Sequence, residues 1–134
     1  MKTLILATLM CFTAIAQDKP QSQHYDFTQK LIGVDGKPIT ITDKGKDGQA
    51  LTLGEVSVMS LEASLDEDRT ATGIDKFKRD QLARKIYGQK DVVLSVEEVT
   101  LIKERIGKAA IPPVVGAAWP LLDKSLVEKD KLSK

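Results

Sequence analysis

The run LSVEEVTLIKERIGKAAIPPVVGAAWPLL, residues 94–122, holds two helices and the break between them. Ser95 and Glu98 stand three apart ahead of a periodic apolar stretch, the spacing of a capping box in which each side chain accepts the other residue's backbone N–H. Val99, Ile102, Ile106 and Ala109/Ala110 then form one narrow stripe, with Glu97, Glu104 and Arg105 turned away. Gly107 is placed to end or loosen this helix. Pro112-Pro113 opens the next one, where a missing N–H costs nothing. Val114, Val115, Ala118, Trp119, Leu121, Leu122 and Leu126 share a broad face of it, opposite Gly116, Pro120, Asp123 and Lys124. Pro120 removes the bond to Gly116 and is predicted to kink the helix on its solvent side. The tail 129–134 (KDKLSK) is predicted to fray.

Upstream, Val92–Leu94 reads as a short extended piece and 73–87 as a helix opened by Thr72 with Asp75 and stopped at Gly88. Leu82, Ala83, Ile86 and Tyr87 cluster on it, whereas Ile74 and Phe77 point elsewhere, so its first turn is predicted to meet a different neighbour. Its cations Lys76, Lys78, Arg79, Arg84 and Lys85 alternate with Asp75 and Asp80, a solvated helix face rather than a nucleic-acid surface. Residues 66–73 (DEDRTATG) read as a polar solvated connection, their three consecutive acids diverging too much to hold a cation. Thr52 and Glu55 open a further helix toward Leu65. Leu53, Val56, Met59, Ser60 and Ala63 lie on one side of it and Val58, Leu61 and Leu65 on the other, the pattern of a central helix.

Ahead of these helices, FTQKLIGVDGKPITIT (27–42) flanks Asp35-Gly36 with apolar and β-branched residues. The dipeptide suits a type I′ turn, so strands near 27–33 and 38–42 are predicted to form a hairpin, with Pro38 at an edge or a strand start. Residues 43–55 imitate a calcium loop with Asp43, Asp47 and Gly48, but Gly45 and Gly54 occupy ligand positions and leave a solvated turn. The stretch 17–25 (QDKPQSQHY) reads as a flexible linker ending at a solvated His24. The fold class that results is α+β: a small N-terminal β-hairpin packed on a bundle of about four short helices, in one domain spanning 26–128.

The first 16 residues, MKTLILATLMCFTAIA, carry the basic start, apolar run and small residues of a signal peptide cut after Ala16. The run is too short to span a bilayer, so no stable membrane span is expected after cleavage. Cys11, the one cysteine among 134 residues, would leave with that leader, and His24 is the one histidine. These scarcities exclude a Cys/His zinc site, an intrachain disulfide and any triad not built on His24. The leader takes Lys2 with it, reducing 20 basic groups to 19 against 19 acidic ones. No phosphate-binding glycine loop, GxSxG elbow or HExxH motif is present, so neither catalysis nor a cofactor is expected.

The order LTLGEVSV, GIDKFKRDQLARKI and VVLSVEEVTLIKERIGKAAIPPVVGAAWPLLD resembles small uncharacterised proteins of tailed bacteriophages and prophages, over about residues 27–123. Members of that group are short and have no assigned catalytic residues. The resemblance implies a non-catalytic accessory protein acting through a helical surface, in the cytoplasm of a bacterial host, and the leader-like start departs from the group. The alternative expectation is an exported periplasmic or secreted binding or inhibitor protein. A protein partner is expected in either case, and nucleic acid is not. The candidate partner surface is Val115, Trp119, Leu122 and Leu126, because Trp is enriched at binding hot spots.

Overall fold

A computed structural model describes residues 23–41 and 48–123. In chain order the elements are β1 (Gln23–Tyr25), β2 (Thr40–Ile41), β3 (Gln49–Ala50), α1 (Leu53–Glu62), a 3-10 turn (Asp66–Arg69), α2 (Gly73–Ile86), β4 (Val92–Leu94), α3 (Val96–Ala109) and α4 (Pro112–Leu122). The class is α+β, with four helices and small antiparallel pairings at their margin. Three helices start at the capping boxes expected of them: Thr52 with Glu55, Thr72 with Asp75, and Ser95 with Glu98. α1 contacts α2, α3 and α4, which explains its two apolar sides. Leu53, Val56 and Leu61 are buried on it, although Met59 stays exposed.

The hairpin forms where expected but with a different turn and different strands. Gly33 N–H donates to Lys37 O (2.8 Å), Gly36 N–H donates to Gly33 O (3.0 Å), and Ile39 N–H donates to Leu31 O (2.9 Å). Among the described residues only glycines have positive φ, Gly36 at 75°. A type I′ turn would need positive φ at Asp35 as well, so this is a type I turn closed by a glycine bulge. The regular strand β2 pairs with β3, not with the 27–33 arm. That arm turns inward to meet the entry to α1. Leu31 N–H donates to Leu51 O, Leu51 N–H to Ile39 O, and Ile39 N–H to Leu31 O, a closed ring of three bonds at 2.7–2.9 Å. Gly54 N–H then donates to Phe27 O. Phe27, Leu31 and Leu53 are thereby fixed in one core with Ile86, Ile102, Ile106 and Leu122.

The linker expected over 17–25 needs correction at its end. Gln23–Tyr25 is a strand, paired antiparallel with β4 so that His24 faces Val93 in register, and Tyr25 is buried. A polar composition hid it because only one of its three side chains, Tyr25, is buried. Residues 1–22, 42–47 and 124–134 lie outside the described residues, and with them the expected leader, the first five residues of the calcium-like stretch 43–55 and the tail expected to fray. Among the described residues no helix is long and apolar enough to cross a membrane.

Candidate functional site

The candidate face on α4 is turned inward. Leu122 is fully buried, and Val115 and Trp119 are half-buried against the core. The indole Nε1 donates to Lys103 O at 3.1 Å, and the Lys103 ammonium lies 5.2 Å from the ring centroid. Lys103 also pairs with Asp123 at 2.8 Å, so its contact with the ring is fixed from both ends of α4's last turn. The ring rests on Gly107, where an added Cβ would come within 3.0 Å of Cζ2. Gly107 therefore makes room for Trp119 rather than ending α3, which continues to Ala109. Leu126 lies outside the described residues. Val115, Trp119 and Leu122 join α4 to the body of the molecule, Leu122 wholly and the other two in part.

A second group was expected to be solvated and is instead interior. Arg105 is only 3% exposed and crosses from α3 to the C-terminal end of α1. Its Nε donates to Ser60 O (3.1 Å) and Nη2 to Ala63 O (2.6 Å), where a helix leaves carbonyls without intrahelical partners and carries partial negative charge. Nη1 and Nη2 also reach the two Asp68 oxygens at 3.2 and 3.1 Å. Asp68 accepts the Leu65 N–H as well, and Arg79 Nη1 stands 2.9 Å from it. The Leu65 N–H, followed by Arg105 and Arg79, holds this carboxyl well below the usual carboxylate range. Glu67 extends the network outward to Lys108, which also pairs with Glu104. A cleft of about 720 Å³ opens beside it, and its acids Glu62, Asp66, Asp68 and Asp80 are offset by Arg69, Lys76 and Arg79. Asp68, Arg79 and Arg105 thus tie the 3-10 turn to α2, α3 and the C-terminal end of α1.

The α2–α3 face is one of the surfaces that keep large apolar side chains open to solvent, as Met59 and Ile111 do elsewhere. Ile74 and Phe77, which pointed away from the main apolar stripe of their helix, are 67% and 63% exposed. Ile74 and Phe77 stay open to solvent among the described residues, so the neighbour predicted for this turn is not among them. Phe77 stands at the rim of a groove of about 560 Å³ between the two helices, with Leu82 and Leu101 at its apolar base. Lys85 and Glu98 close one end through a double contact at 2.8 and 2.9 Å. The sequence signal was present in the off-stripe position of Ile74 and Phe77, but it could not distinguish a core neighbour from an absent one.

His24 is not free as the linker reading implied: its Nδ1 lies 2.6 Å from Asp91 Oδ1, on the exposed side of β1. Among the described residues no three His, Cys, Asp or Glu side chains are grouped to hold a metal ion. No protein-family model, no curated protein and no solved structure matches this chain.

Proposed function

We propose that this chain is a non-catalytic interaction module that docks through its α2–α3 face. The observation that carries the reading is the pair Ile74 and Phe77, one helical turn apart and both exposed, with Phe77 lining a groove that has Leu82 and Leu101 in its wall. Large apolar side chains left in water at neighbouring positions mark a surface that another protein covers, and an aromatic ring at the rim of a groove is the usual anchor of such a contact. The phage-like run over residues 27–123 supports an accessory role encoded by a phage or prophage.

Replacing both residues with serine is expected to leave the melting temperature within about 2 °C, since exposed side chains carry little stability. The same variant is expected to lose chemical cross-linking to its partner in the native cell, while Trp119→Phe retains it. A doubly substituted protein that cross-links like the wild type would sink the reading. The leader-like residues 1–16 favour a second setting, in which the same module works outside the cytoplasm. Intact mass decides this: a mature chain starting at Gln17 in the periplasm supports export, and full-length chain in the cytosol excludes it.

A further inference from the structure

Resting on that docking face, we infer that its occupant is a second copy of this chain, related by a two-fold axis through the middle of the α2–α3 groove. At about 100° per residue, Ile74, Phe77, Lys78, Gln81 and Lys85 fall within an arc of about 100° on α2, so one helix face carries the apolar pair and both lysines. Two charges on this face make no ion pair among the described residues: Lys78 at the Phe77 end, which has Asp75 three residues before it on the same helix, and Glu97 at the other. Their placement at opposite ends follows from Lys85, which is bonded to Glu98 and lies two turns, about 10.5 Å, beyond Lys78 along α2.

A two-fold axis through the centre, near Gln81, exchanges the two ends. It sets Lys78 of each copy against Glu97 of the other and brings each Phe77 over its neighbour's groove. The surface is thus complementary to itself in charge and in shape, as an isologous contact requires. The same axis makes two equal ion pairs at once, whereas a head-to-tail arrangement leaves one Lys78 and one Glu97 unmatched. The formal net charge of +1 opposes the approach of two copies only weakly. The helix crossing available, α2 at 14 residues or about 21 Å, suits a reversible dimer better than a permanent one.

Sedimentation of the full chain over about 1–300 µM tests this, with charge exchange as the control. The wild type is expected to shift from one to two chain masses across that range. Phe77→Ser is expected to weaken association by at least about tenfold. Lys78→Glu and Glu97→Lys each place like charges together and are expected to weaken it about three- to tenfold, while the double variant returns to within about twofold of wild type. A wild type that stays monomeric throughout, association that ignores Phe77→Ser, or charge variants whose losses add instead of cancelling would overturn the two-fold dimer. A monomer whose cross-linking to another protein still depends on Ile74 and Phe77 would overturn the dimer alone and leave the docking face standing.

Discussion

Arg105 shows how one buried cation can do the work of a helix cap. α1 ends at Glu62 without a basic residue in its last turn, and the guanidinium from α3 supplies the missing donors to Ser60 O and Ala63 O. Arg105→Ala would leave those carbonyls unpaired and Asp68 short of its main cation, a loss expected to be about 3–5 kcal/mol in a denaturant melt. Arg105→Lys should recover only part of it, because an ammonium cannot reproduce the fork that spans two carbonyls and a carboxylate. The pH dependence has a definite sign. Asp68 has a depressed pKa in the folded protein, so its contribution is complete above the ordinary aspartate value near 4 and drains away as pH falls toward the lower folded value. Melting temperature is therefore expected to drop steeply below about pH 4. Asp68→Asn should lower stability at neutral pH and flatten that acid slope; an unchanged slope would assign the acid sensitivity to other carboxylates. None of this was legible in the sequence. On the helical wheel Arg105 sits at the edge of the stripe formed by Val99, Ile102 and Ile106, where a long charged stem can turn either way, and its partners lie 37 or more residues distant.

The helices were far more legible, because their start signals are local. Thr52, Thr72 and Ser95 each find a carboxylate three residues on, and each helix begins one residue later. The hairpin was half legible. Asp35-Gly36 located the turn, but strand partners depend on contacts such as Leu31 with Leu51, which no short pattern encodes. Gly54 makes the limit concrete. Its N–H bonds to Phe27 O, and a Cβ there would lie 2.8 Å from that same backbone oxygen. Gly54→Ala is expected to destabilise by about 1–3 kcal/mol despite alanine's better helix propensity, because the oxygen belongs to backbone and cannot rotate away. The same exchange at Gly116, inside α4 with open space around it, is expected to stabilise by up to about 1 kcal/mol. Thermal melts of the two variants should shift in opposite directions; a shift of the same sign would mean that propensity, not the approach of the 27–31 arm, governs both sites.

For the molecule as a whole, β1 is the tie between the first described residues and the α2–α3 half. Tyr25 is buried beside Phe27, with ring centroids 6.5 Å apart, and burial with the nearby Asp123 carboxylate pushes its hydroxyl pKa upward. Tyr25→Ala is expected to cost about 3–5 kcal/mol and to speed exchange of the β4 amide protons, detected by hydrogen exchange. Slow exchange at β4 with an unchanged melt would show that β1 is decoration. The pairing also sets an order of events. His24 and Asp91 are 67 residues apart in the chain, so β1 leaves the ribosome several seconds before its partner strand exists, at a synthesis rate of about 5–20 residues per second. For that interval Tyr25 has no sheet to join, and closing so long a loop gains nothing until α1 and α2 have drawn its ends together. The first described strand of the chain is thereby among the last to be fastened.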